Sequence, residues 1–207
     1  GLSYEKIGFG TPGTEDPASG LMKNCNTTAL NGKPLRSDLM QMLGVPVQVA
    51  NDANCLALAE SKMGIVPEIC PNAEVVFGVI LGTGVGGGLV VHNQIIRGRH
   101  GIGGEWGHNY LDDSGGLCYC GKTGCIERVL SGKNLERWYF ETYGEKRDLR
   151  AIYASYLRGG DTKASKTINR LLTYFGRALG QIINVVDPDV VVLGGGVGNI
   201  DLLYTKG

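Results

Sequence analysis

Apolar positions change period several times along the chain, and each change marks an element. Between residues 162 and 186, Ile168, Leu171, Leu172, Phe175, Leu179, Ile182 and Ile183 recur at helical spacing. One long helix is predicted there. Residues 75–81 form an apolar run of strand length, and a buried strand is predicted. Residues 86–96 read as its hairpin partner, interrupted by glycines, with a turn at His92-Asn93. Residues 45–50 alternate as a short strand. Asn51-Asp52 then opens a helix that runs to about Met63 and stops at Gly64. Shorter helices are predicted over 37–43, with Gly44 as the stop, and over 134–143. Residues 190–193 form a second buried strand.

Between these elements lie polar stretches. Residues 1–36 are turn-rich, 67–72 read as a linker and domain boundary, Asp187-Pro188-Asp189 is a turn, and 98–124 is loop-like throughout. Strands alternate with helices, so the fold class is α/β. A loop as long as 98–124 has no core of its own and needs another source of order.

Composition changes this picture in three ways. The 207 residues suffice for a sizeable core, and no apolar run approaches the length of a membrane span. Lysine plus arginine equals aspartate plus glutamate, 20 against 20, so neither nucleic acid nor a membrane surface is expected as partner. Glycine, 34 residues, clusters at 82–88, 98–107, 115–124 and 194–196. Such clusters arise where backbone approaches a ligand closely.

Of the six cysteines, Cys25, Cys55 and Cys70 are scattered and read as small apolar side chains. Cys118, Cys120 and Cys125 sit together, with His108 ten residues upstream of the first. Three thiolates and one imidazole form a closed tetrahedral set, the composition of a structural zinc site. That usage suits a reducing cytoplasm. The same residues contain a false lead. Gly116 to Thr123 satisfies the pattern G-x-x-x-x-G-K-[ST], but no strand precedes Gly116 and no helix follows Thr123, as a phosphate-binding P-loop requires.

Phosphate candidates lie at strand ends instead. Gly82, Thr83, Gly84 and Gly86 follow the 75–81 strand, and Gly194, Gly195 and Gly196 follow the 190–193 strand. Turns of backbone N–H groups there can hold anions. Asp52, between a strand and a helix, reads equally well as a helix N-cap or as a general base. Spacing alone does not choose. Trp106 and Trp138 read as packing residues.

In order along the chain stand Asn51-Asp52-Ala53-Asn54, the 82–88 glycines, Gly104-Glu105-Trp106-Gly107-His108, Cys118-Tyr119-Cys120-Gly121-Lys122-Thr123-Gly124-Cys125-Ile126-Glu127 and Leu193-Gly194-Gly195-Gly196. In order and spacing they resemble the ROK family (repressors, open reading frames, kinases) of sugar kinases. Asn24-Cys25-Asn26-Thr27 and Leu30-Asn31-Gly32 resemble its fructokinase and N-acetylglucosamine kinase branch.

The resemblance implies an actin-like ATPase (ribonuclease H-like) fold with two α/β lobes around a cleft. Residues 1–70 would be part of the small lobe and 71–207 the large one. It implies a cytoplasmic homodimer that uses ATP and Mg²⁺ to phosphorylate a hexose such as fructose, glucose, mannose or an N-acetylhexosamine at its 6-hydroxyl. Asp52 would be the catalytic base. Asn51, Asp52, Glu105, His108 and Glu127 would hold the sugar, with His108 using one ring nitrogen for zinc and the other for the sugar. The 82–88 and 194–196 glycines would cradle the nucleotide. The family's N-terminal Asp-x-Gly-Gly-Thr loop and its last helices have no counterpart in these residues, so the segment alone is expected to be inactive or weakly active. The alternative is a sugar-sensing transcriptional regulator of the same family.

Overall fold

The computed structural model describes residues 4–207. Its elements run β1 (Ile7–Thr11), β2 (Thr14–Glu15), β3 (Met22–Lys23), α1 (Leu35–Leu43), β4 (Val47–Asn51), α2 (Asp52–Met63), α3 (Val66–Ile69), β5 (Val75–Leu81), β6 (Val85–Val91), β7 (Gln94–Ile95), α4 (Ile126–Leu130), α5 (Gly132–Tyr143), α6 (Leu149–Arg158), α7 (Thr162–Val186), β8 (Val190–Gly194) and α8 (Leu202–Thr205). The main sheet has the order β7-β6-β5-β8. The chain divides into two compact units, Gly1–Gly78 with Gly88–Gly104, and Val79–Gly87 with Glu105–Gly207. This division cuts across the β5–β6 hairpin. It does not follow the 1–70 and 71–207 boundary read from the sequence.

In the first unit, β1 and β4 pair in parallel, with Thr11 opposite Asn51. Sequence reading placed only turns before residue 36. The strand β1 was hidden because Ile7 and Phe9 alternate with glycines and its partner lies about forty residues on. The expected linker at 67–72 also holds a short helix, α3, which admits Pro67 in its first turn where no N–H is needed. Val47 and Val49 of β4 are buried. Helix α2 lies close against the unit's part of the hairpin. A Cβ at Gly78 would stand 2.7 Å from Ala57 Cβ, and one at Gly88 2.7 Å from Ala53 O. Those two strand glycines therefore set the helix-to-sheet distance. His92 and Asn93 both have positive φ, 47° and 61°, the turn that joins tightly paired strands.

The second unit is built around α7. Ile168, Leu171, Phe175 and Ala178 are buried along one of its faces. They repeat at three and four residues, so they share a stripe. Buried Val129 and Leu130 of α4, Leu135 and Tyr139 of α5 and Ile152 of α6 belong to the same unit, and all three helices contact α7. The Asp161 carboxylate caps α7 by accepting from Ala164 N at 3.0 Å and also receives Arg147 Nη1 and Ser155 Oγ, each at 2.8 Å. All six cysteines are free thiols. Among the described residues, no helix is long and apolar enough to cross a membrane.

Candidate functional site

Asp52 stands where β4 ends and α2 begins, beside the carboxyl end of a parallel strand pair. Open α/β sheets place ligands at such ends. The cap of α2 is Asn51, not Asp52. Asn51 Oδ1 accepts from Ala53 N at 2.9 Å and Asn54 N at 3.4 Å, while its Nδ2 donates to Gly13 O at 3.1 Å. Asn51 thus holds both the helix start and the 11–13 turn. Asp52 is the exposed first residue of the helix, and one of its oxygens accepts from Ala53 N at 2.9 Å. The side-chain cap of α2 therefore comes from Asn51, and the Asp52 carboxylate stands at the exposed start of the helix.

In the second unit, residues of two sequence motifs converge on Val85 and Gly86 of a third. The Trp106 indole N–H donates to Gly86 O at 2.8 Å, and the ring is buried. A Cβ at Gly107 would lie 2.1 Å from Val85 O, so only glycine fits there. Val85 N donates to Glu127 Oε2 at 3.1 Å. A Cβ at Gly84 would come within 2.6 Å of that same oxygen. Glu105 and His108 flank the Trp106-Gly107 pair and are placed by it.

The two glycine loops also meet. Gly195, at φ +83°, lies so close to β5 that a Cβ would stand 2.4 Å from Leu81 O. Gly132 N donates to Gly82 O at 2.8 Å. Residues 82–86 and 195 therefore share the carboxyl end of β5, where unencumbered backbone can approach a phosphate.

The loop of 108–125 closes on itself. Leu117 and Thr123 form an antiparallel bridge, Cys118 N donates to Lys122 O at 2.8 Å, and Gly121 N to Cys118 O at 2.9 Å. A short 3-10 turn precedes Gly116 and α4 starts only at Ile126, so the P-loop pattern lacks its strand and helix. The tight turn gathers His108, Cys118, Cys120 and Cys125, whose donor atoms all lie within 4.8 Å of one another. Cys120 Sγ and Cys125 Sγ are 3.6 Å apart, and Cys118 Sγ is 3.7 Å from His108 Nδ1. Tetrahedral zinc bonds of ~2.3 Å to sulfur and ~2.0–2.1 Å to nitrogen put neighbouring donors ~3.6–3.8 Å apart. The donor set fits that ion.

Burial, reinforced by the neighbouring thiols, pushes Cys125 up to about 12. Burial also raises Cys118. At Cys120 burial acts upward as well, but the Lys122 backbone bond and the two neighbouring thiols outweigh it and lower the thiol. Packing three thiols together disfavours three thiolates unless a cation offsets the charge.

The other ring nitrogen of His108 meets a residue that sequence reading passed over. Tyr119 Oη lies 3.1 Å from His108 Nε2. The two rings stand edge to face, centroids 5.2 Å apart. Crowding at the hydroxyl, then the charges of Glu127, Cys118 and Glu105, push Tyr119 up to about 12. The signal was an aromatic side chain set between two cysteines of the donor set. Cys25, by contrast, is structural. Asn31 Oδ1 accepts from its N–H at 2.9 Å, and Asn31 Nδ2 donates to its carbonyl at 3.1 Å.

The chain has the actin-like ATPase fold of the sugar kinases whose structures it matches. The chain belongs to the ROK family, whose model matches residues 3–206. It is 40% identical over 212 residues to an N-acetyl-D-glucosamine kinase of Vibrio vulnificus, covering 97% of this chain and 68% of that protein. Among solved structures, the ROK hexokinase of Thermus thermophilus superimposes with a TM-score of 0.84 at 34% identity, over 98% of this chain and 68% of that one. A ROK glucokinase of Streptomyces griseus, in complex with glucose and AMPPNP, gives a TM-score of 0.78 at 28% identity, over 100% and 72%.

Proposed function

We propose that the protein transfers the γ-phosphoryl group of ATP, with Mg²⁺, to a hexose hydroxyl, and that the hexose is N-acetyl-D-glucosamine, phosphorylated at the 6-hydroxyl. The observation that carries this reading is the convergence of Trp106, Gly107 and Glu127 on the Val85–Gly86 backbone. It joins the ends of the metal loop to the glycine turn that would hold phosphate. The relatives named N-acetyl-D-glucosamine kinase support the choice of sugar.

In this reading Asp52 takes the proton from the attacking hydroxyl. Asn51, Glu105, His108 and Glu127 orient the sugar. Gly82, Thr83, Gly84, Gly86, Gly194, Gly195 and Gly196 bind the nucleotide. His108, Cys118, Cys120 and Cys125 would hold zinc, and a closed set of four ligands supplies shape rather than a reacting water. Phosphoryl transfer depends mainly on positioning and charge neutralisation, which suits a site built from backbone and carboxylates.

The test is a coupled assay of the intact protein with ATP and a panel of N-acetylglucosamine, N-acetylmannosamine, glucose, mannose and fructose. Turnover highest on N-acetylglucosamine is expected. No turnover on any hexose would refute the kinase reading. Asp52→Asn should lower kcat by roughly 10²–10⁴-fold, the range for general-base catalysis. A variant with undiminished kcat would remove Asp52 from that role.

A further inference from the structure

We propose that Lys133 is a nucleotide-binding residue whose ammonium contacts the phosphate chain of ATP beside the 82–86 glycine turn. The inference rests on the kinase reading above. It adds a cation to a site otherwise built from backbone, one threonine and carboxylates.

Backbone sets the place. Helix α4 ends and α5 begins at Ser131, and Gly132 N donates to Gly82 O at 2.8 Å. A Cβ at Gly132 would stand 3.3 Å from Gly82 O and 3.4 Å from Val197 Cγ2. Gly82 opens the first glycine run, and Val197 directly follows the second, which ends at Gly196. The start of α5 is therefore wedged where the two runs meet, and the next residue along is Lys133. Its neighbour Asn134 is buried, and Asn134 Nδ2 donates to Glu127 O at 3.0 Å and Ser131 Oγ at 2.7 Å. Those bonds fix the first turn of α5 on its inner side and leave Lys133 exposed on the outer one.

No structural need explains a cation there. In the first turn it faces the positive end of the helix dipole, which disfavours it. Among the described residues Lys133 enters no ion pair, and the first turn of α5 holds no acid. Glu136, on the next turn, is engaged with Leu149 N at 2.8 Å. Helix α2, by contrast, opens on Asp52. A residue that breaks a local rule without a compensating partner marks a functional place.

A phosphate chain supplies the missing partner. The turn offers backbone N–H groups, but the side chain it rests on is the Glu127 carboxylate, 3.1 Å from Val85 N. That charge repels an anion, so a triphosphate at the turn calls for a side-chain cation beside Mg²⁺. Arg128 and Arg137 are turned away onto Gly115 O. Lys133 has no such commitment. A compact ammonium on a flexible four-carbon stem suits phosphate oxygens as a point charge. Neutralising them also serves phosphoryl transfer.

The experiment compares Lys133→Gln and Lys133→Arg with wild type in the intact protein. Calorimetry reads the Kd of Mg²⁺·AMPPNP, of adenosine by competition against it, and of N-acetyl-D-glucosamine. Denaturant unfolding gives the midpoint. Lys133→Gln should raise the AMPPNP Kd about tenfold, the low end for a hydrogen bond to a charged group, because the place is open to solvent. The adenosine and sugar Kd should stay within about twofold. The midpoint should hold or rise, since a cation leaves the positive helix end. Lys133→Arg should restore most of the nucleotide affinity. An unchanged AMPPNP Kd in Lys133→Gln overturns the proposal. So does an equal loss for adenosine, which would put the lysine on the nucleoside. A lowered midpoint with weaker sugar binding overturns it in favour of a role in the fold, and Lys133→Arg no better than Lys133→Gln overturns the role of the charge. Failure of the wild type itself to bind AMPPNP would instead sink the kinase reading, and the wild-type titration separates the two cases.

Discussion

Helix α7 and the loop of 108–125 lie in the same unit, yet they are ordered by opposite means. In α7 the apolar side chains of the stripe from Ile168 to Ile182 point inward, and only Ile183 and Val185 at its end are exposed. Ile168, Leu171 and Ala178 are fully buried and Phe175 nearly so. In the loop they point outward, with Leu117 at 71% and Tyr119 at 74% exposure. The loop's order comes from short backbone bonds and from four donor atoms gathered around one point. A core stabilises without regard to chemistry, whereas a ligand cluster can hold chemistry at the surface. Residues that must meet a substrate are therefore carried on the second kind of region.

The largest effect should follow from breaking the core side of this contrast. Phe175→Ala removes a buried ring and is expected to cost about 3–5 kcal/mol of stability. Denaturant unfolding checks it. An unshifted midpoint would mean that α7 does not depend on its buried face.

Breaking the loop side should do the reverse. Cys120 is exposed, so Cys120→Ser disturbs no packing. Zinc content should fall, the sugar Kd should rise about tenfold, a loss comparable to one polar contact, and the unfolding midpoint of the α7 core should stay nearly in place. Zinc lost with sugar affinity intact would show that the loop does not support the sugar residues.

The smallest effect concerns the cap of α7. The Asp161 carboxyl is held well below the usual carboxylate range by the Ala164 N–H first, then by Arg147 and Ser155. A depressed folded pKa means that its stabilisation is present above the unfolded value of ~3.9 and is lost as pH falls below it. Asp161→Asn keeps a capping oxygen but not the charge. The variant should melt below wild type at neutral pH, and the gap should close as pH drops under about 4. Metal-ligand protonation affects both proteins alike. A gap that stays constant down to pH 2–3 would refute the linkage.

Much of this contrast was legible in the chain. One-sided burial writes a period into the residues, and so β5 and α7 matched their predicted bounds. Donor chemistry is equally local, so the His108, Cys118, Cys120 and Cys125 set was readable from ligand type and clustering. Elements held by distant partners were not. Strand β1 needs β4 to exist, and its glycines gave no apolar period. Helix α3 is too short for a period and contains Pro67. That Asn51 and not Asp52 caps α2 was decided only by the Asn51 side chain turning onto Ala53 and Asn54.

What the sequence determined by itself, then, was local: helical and strand periods, turn residues, and a donor set of one imidazole and three sulfurs. The tertiary structure alone decided who meets whom. A glycine shows no side chain to match with a partner, so nothing in the residues announced that Gly107, Trp106 and Glu127 would converge on Val85 and Gly86. Nor could spacing place the Tyr119 hydroxyl on His108 Nε2, since the turn between Cys118 and Cys120 fixes that direction only once it has folded.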